Sequence, residues 1–273
     1  ADSPHTLRDG AQLTEGWNAD PLHPQPDVQL LTGSLADYYP TVPSAFRYGN
    51  ELYFLPDLFS DNDTRFGHFG GQPFTGTYQI SASGRKVRGG GYETYARAQV
   101  SPQASVIRFA LAATSADPPP LDTLSAQTYT VWTVHSQADP HAALPPSWYC
   151  VNLQLDITQH CSVLPLLSLS YQVKGITLAG GAPPGQQSIS VAVGHFQPAR
   201  STAAITAATA QVSWDGGQYW QPAVVTATGA GHYRVTFTPP AGVDVTLRFW
   251  ARDAAGNQIS ETITDAYGVG PAV

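Results

Sequence analysis

The chain has 273 residues and a formal net charge of −7, with only 12% charged residues and abundant Gly (25) and Pro (23). That balance excludes a nucleic-acid groove, since no basic stripe is present to neutralise phosphates. No stretch approaches the roughly 20 apolar residues of a spanning helix, and the turn-rich, ion-poor composition predicts an all-β chain, long enough for two domains although a single all-β domain can reach this size.

Residues 1–27 read as an irregular lead-in. Pro21, Pro24 and Pro26 fix an extended backbone and remove ladder donors, so this segment is expected to cover a sheet rather than lie within one. The start, Ala1-Asp2-Ser3-Pro4, suits a mature terminus after processing or an excised fragment. Residues 28–140 are expected to form an N-terminal antiparallel β-sandwich, jelly-roll-like in character. Within it, two aromatic runs flank Gly49-Asn50 over residues 45–55, which predicts a hairpin. Further strands are expected over 76–80, 93–100, 105–111 and 127–134, with turns at Ser83-Gly84-Arg85 and Gly89-Gly90-Gly91.

Residues 141–162 are Pro-rich, break the strand rhythm and read as a domain junction. They hold both cysteines. Cys150 and Cys161 enclose a ten-residue loop in a Lys-poor, Met-free chain whose composition is that of a secreted protein, so a local disulfide is expected. From residue 163 a fresh strand series begins, over 164–173, 187–193, 209–214, 221–226, 233–238, 245–252 and 258–265. Seven short strands in residues 163–273 predict an immunoglobulin-like or fibronectin III-like sandwich.

Catalytic signatures are missing from the sequence. No Gly-x-Ser-x-Gly elbow occurs, and the eight histidines never form a His-x-x-x-His pair on a predicted helix. No catalytic residue is therefore assigned. Asp57, Asp61 and Asp63 offer the hard oxygen ligands Ca2+ prefers, but Arg65 stands where an EF-hand places an oxygen ligand and no Glu occupies the twelfth position. A solvated acidic loop is the plainer reading, so no cofactor is expected, with structural Ca2+ as the alternative. Trp148, Tyr149 and Trp220 are candidate binding aromatics, cover for a core or an edge being their plainer role.

Two turns carry recognisable stabilising patterns. Ser213-x-Asp215-x-Gly217-x-x-Trp220 matches the Asp-box of sialidases and related proteins, a device in which side chains tie up hairpin backbone groups. Asp253, Gly256 and Asn257 mark the last hairpin. Both are read as structural.

The order of several segments resembles the C-terminal region of the very large secreted subtilisin-like serine peptidases of Streptomyces and related actinobacteria. The segments are Ala19-Asp20-Pro21-Leu22-His23-Pro24, residues 55–71, residues 129–133, residues 164–171, residues 210–217, and residues 247–267 with Arg252-Asp253-Ala254-Ala255-Gly256-Asn257. The loop between Cys150 and Cys161 departs from that pattern. In such peptidases the triad lies in an upstream domain, so the resemblance implies a non-catalytic, extracellular accessory region. Its expected partners are the subtilisin-like catalytic domain, a substrate protein or a cell-envelope ligand, with no nucleic acid and no membrane span. The alternatives are a hydrolase with a triad assembled from loops, and a carbohydrate-binding module.

Overall fold

In the strand Gln127–Ser136, Thr128, Thr130, Trp132 and Val134 are buried while Gln127, Tyr129 and His135 are exposed. That period of two sets one face against a core. The computed structural model describes residues 20–26, 28–29, 42–60, 62, 74–92, 95–115, 124–146, 148–151, 157–177 and 180–270. Among them there is no α-helix, only a three-residue 3-10 turn at Gln197–Ala199. The architecture is all-β, as the composition predicts.

Gln127–Ser136 stands in the middle of a nine-stranded sheet. On one side it pairs antiparallel with Ser105–Ser115, which continues to Phe74–Ala82 and Arg85–Lys86. On the other side it pairs with Gln258–Val269, which continues to Asp244–Asp253, Ile205–Ser213 and Gln221–Pro222. The short strand Gly181–Ala182 adds to the far end of Gln258–Val269, in parallel.

A four-stranded sheet runs in the order Leu167–Val173, Gln187–His195, His232–Phe237, Val224–Gly229. Together with Ile205–Ser213, Asp244–Asp253 and Gln258–Val269 it reproduces the ABED and CFG sheets of an immunoglobulin-type sandwich. The last strand of that sandwich would normally be an edge. Here it is paired with Gln127–Ser136, so the sheet runs on into the N-terminal half and that edge is covered.

A five-stranded sheet packs over the N-terminal part of the long sheet. Its order is Ser162–Val163, Ala45–Tyr48, Glu51–Phe54, Tyr95–Gln99, Gly89–Tyr92, and the first hairpin turns at Gly49-Asn50 as expected. Phe54 stacks on Phe109 at 4.7 Å and meets Trp132 edge-on at 5.1 Å. These rings belong to one continuous core that also holds Tyr171, Val235 and Phe249 of the sandwich. The opposite side of the five-stranded sheet presents Phe46 and Tyr53, stacked at 4.8 Å, to a second small core with Cys150 and Cys161. The segment expected as a junction thus covers this sheet, and its Ser162–Val163 strand joins the sheet's edge. The boundary read at residues 141–162 interrupts neither the long sheet nor the main core.

Two expectations need correction. Gly89–Tyr92 is an edge strand rather than a turn. A Cβ on Gly89 would come within 2.6 Å of the Arg97 carbonyl oxygen, so glycine serves close backbone approach there. In the lead-in, the expected irregularity does not extend to His23–Gln25, a buried strand paired with Asp57–Ser60. Its ladder is only two strands wide and lies outside the large sheets, which accommodates Pro24.

Candidate functional site

The richest polar chemistry lies where the two halves meet, along the outer edge of Leu167–Val173. Alternate residues of an edge strand leave backbone groups without a strand partner, and buried groups of that kind must be satisfied. Four side chains do this in sequence. Trp132 Nε1 donates to the Leu167 carbonyl at 2.9 Å, and Gln25 Nε2 donates to that of Leu169 at 2.5 Å. Asn62 accepts from the Tyr171 N–H at 2.8 Å and donates to its carbonyl at 2.7 Å. Asp20 Oδ1 accepts from the Val173 N–H at 3.0 Å. Asn62 has φ 79°, a left-handed conformation that Asn tolerates, and also donates to Asp20 Oδ2 at 3.2 Å.

Behind this edge lies a sealed cluster around Glu261. In Gln258–Val269 the inner positions are Ile259, Glu261 and Ile263, so a carboxylate stands where the pattern calls for an apolar side chain, 1% exposed. Register sets it opposite Thr130, whose Oγ1 donates to Oε2 at 2.7 Å. His23 Nδ1 lies 3.0 Å from Oε1, with neither side chain exposed. The other ring nitrogen of His23 faces Gln25 Nε2 at 3.1 Å and Asn62 Oδ1 at 3.4 Å. Tyr171 meets the His23 ring edge-on at 4.9 Å. Burial, and then the charge of Glu261, push the Tyr171 hydroxyl well above its ordinary value of 10. Histidine, carboxylate and hydroxyl groups converge here, but His23, Tyr171 and Glu261 are each buried, and among the described residues none of the three opens to a substrate. The cluster seats the 20–26 segment between the sheets. The signal that points to Glu261 is its place in the Ile259–Ile263 alternation; nothing in the Pro-rich lead-in marks His23 as its partner.

The residues singled out from sequence fall elsewhere. Cys150 and Cys161 are joined by a disulfide, with Cα atoms 6.5 Å apart, as predicted. Trp148 and Tyr149 are half-buried beside it, and Gln159 Nε2 donates to the Trp148 and Pro145 carbonyls. A cleft of about 220 Å3 opens nearby, bounded by Leu144, Pro145, Cys161, Val163, Pro198 and Arg200. It is smaller than the roughly 300–1,000 Å3 typical of small-molecule sites. Trp220 belongs to a different region, its ring 3.8 Å from the Arg248 guanidinium on the nine-stranded sheet. The structure does not gather the three aromatics into one site.

Asp57 lies fully buried in the Asp57–Ser60 strand, not in a solvated loop. Asp61 and Asp63 lie outside the described residues. Among the described residues no group of three or more His, Cys, Asp or Glu side chains is placed to hold a metal ion.

Both patterned turns are built as read. Ser213 Oγ donates to Asp215 Oδ1 at 2.6 Å and accepts from the Gly217 N–H at 3.0 Å, while Asp215 Oδ1 accepts from the Gln218 and Tyr219 N–H groups. These bonds, that of Ser213 first, hold the Asp215 carboxyl below its ordinary value. In the last hairpin Asp253 accepts from the Asn257 N–H and side-chain amide, both at 2.8 Å, and lies 3.1 Å from His195 Nε2. Gly256 there has φ 89°, and a Cβ on it would meet the His135 ring at 3.0 Å. His135 N donates to Asn257 Oδ1, tying the hairpin to Gln127–Ser136.

No helix among the described residues is long and apolar enough to cross a membrane. Compared with protein-family models and with curated proteins, the chain matches none.

Proposed function

We propose that this chain is a non-catalytic, secreted binding region, the accessory part of a subtilisin-like peptidase or a relative of such a part. One observation carries the reading. The described histidine–carboxylate contacts are committed to the fold, His23 with Glu261 in a sealed cluster and His195 with Asp253 in a hairpin whose carboxylate also holds Asn257. The disulfide suits an oxidising compartment. Among the described residues, what remains for function is surface: a sheet face with no described element packed on it, and hairpin tips bearing side chains such as Tyr219, 78% exposed. Surfaces of this kind supply the contacts through which a partner is held.

The test is retention. Immobilised protein is challenged with subtilisin-like peptidase domains, with secreted proteins and with cell-envelope preparations, alongside an unrelated β-sandwich. Selective retention of any of them supports the reading, and retention of none of them contradicts it.

A further inference from the structure

The face of the nine-stranded sheet turned away from the core has no described element packed on it, and its composition is unlike that of the chain as a whole. Registers across six strands align its side chains in rows. One row runs from Ser81 through Arg108 to Arg252 and Ala207, another from Thr77 through Tyr129 to Arg248 and Gln211, and Trp250 lies in the row between them. These three rows hold three arginines and no carboxylate, in a protein whose net charge is −7. Most other positions are Ser, Thr, Gln or Ala.

The arginines are arranged rather than scattered. Arg248 lies 3.8 Å from the Trp220 ring, and its Nε donates to Thr262 Oγ1 at 3.2 Å, which holds the guanidinium along the sheet. Arg108 Nη2 reaches the hydroxyl of Tyr129, a ring 46% exposed. Trp250 is tethered through Nε1 to Gln258 Oε1 at 3.2 Å. Tyr129 and Arg248 stand two strands apart, roughly 10 Å, and Arg108 and Arg252 three strands apart, roughly 14 Å.

We propose that this face binds an acidic polysaccharide, a chain of pyranose rings bearing carboxylate or sulfate groups. The guanidinium forks match those anions in geometry, aromatic rings offer faces for the sugars' C–H groups, and the Ser, Thr and Gln rows match hydroxyls. Cations spaced a disaccharide or more apart suit a polymer charged at intervals. Nucleic acid, with a charge every ~1.7 Å of duplex, calls for a denser basic stripe. A protein partner calls for an apolar interface centre, which these rows lack. The inference rests on the binding reading above and names its ligand.

Affinity electrophoresis of the whole chain through gels containing a polyuronate, heparin, a neutral glucan or single-stranded DNA tests it. The expected result is retardation by the polyuronate or by heparin, relieved by salt, with none by the glucan. The double variant Arg108→Ala/Arg252→Ala, at exposed positions, should weaken that binding about tenfold, equivalent to roughly 1.4 kcal/mol. Tyr129→Ala should weaken it as well, while circular dichroism stays native. Retardation by DNA equal to that by the polysaccharides would reduce the face to a general polyanion surface and overturn the proposal. So would unaltered binding in the double variant. No retardation by either acidic polysaccharide, with retention of a peptidase domain or envelope protein intact, would overturn this inference and leave the binding reading standing.

Discussion

The side-chain amide of Asn62 pairs with the backbone of Tyr171 in both directions, accepting from its N–H at 2.8 Å and donating to its carbonyl at 2.7 Å. One residue from the N-terminal half thus acts as a strand neighbour for an edge of the C-terminal sandwich. Since Trp132, Gln25 and Asp20 do the same along that edge, the halves are expected to unfold together. Denaturant titration followed by tryptophan fluorescence and by far-ultraviolet circular dichroism should give one coincident transition. Asn62→Ala should shift it by about 2 kcal/mol, two partly buried backbone groups having lost their partner. Two separable transitions, with only one moved by Asn62→Ala, would contradict the stitching.

The Glu261 cluster makes a larger demand. Glu261→Ala leaves His23 and Thr130 facing a void, and His23→Ala leaves a carboxylate buried without its partner. Each should cost about 3–5 kcal/mol, the scale for breaking one side of a buried pair. Changing both to apolar residues of similar volume should recover much of that loss. Equilibrium unfolding of the two single variants and the double variant measures this; single variants within about 0.5 kcal/mol of wild type would show the pair to be incidental.

Strand content was readable because the signal is local. Period-two runs such as Thr128–Thr130–Trp132–Val134 and turn glycines such as Gly49 and Gly217 fixed most strands and hairpins before any tertiary contact was known. The Asp-box and the Asp253–Asn257 hairpin were legible for the same reason, since each motif closes within five to eight residues of sequence. The union of Gln127–Ser136 with Gln258–Val269 was not, because nothing in either strand names a partner more than 120 residues away. Proline's missing donors keep the lead-in out of the large sheets, but nothing local shows that tertiary contacts of Asp20, His23 and Gln25 order residues 20–26. Glu261 was legible in part: its inward side was implied by Ile259 and Ile263, its bond to His23 by nothing local.

Buried tyrosines set an alkaline limit. Burial raises the hydroxyls of Tyr78, Tyr171 and Tyr267 well above the ordinary 10, and pushes Tyr53 up to about 12, with Glu51 adding to it. A folded-state value above the unfolded one means that the native state holds the proton more tightly. The associated stability is complete below about pH 10 and is lost as pH rises through the folded values. Tyrosinate absorbance should therefore lag behind that of free tyrosine and then rise together with loss of structure. Full ionisation near pH 10 with native circular dichroism would contradict this.

The Asp215 turn has the opposite sign. Its carboxyl is held below the ordinary value by Ser213 and by backbone donors, so its contribution is present at neutral pH and lost as pH falls below about 4. Asp215→Asn should lower the thermal midpoint at pH 7 and flatten its fall on acidification. Ser213→Ala, which removes a buried hydroxyl bonded to the turn, should cost about 1–2 kcal/mol. Thermal scans across the acid range check both.

The central claim, that this chain binds without catalysing, is met most directly by fluorophosphonate labelling of the purified protein with an active subtilisin-like enzyme as positive control. The expected result is labelling of the control and none of this chain at native pH. Labelling at a single serine, lost on substitution of that serine together with turnover of a peptide or ester, would contradict it.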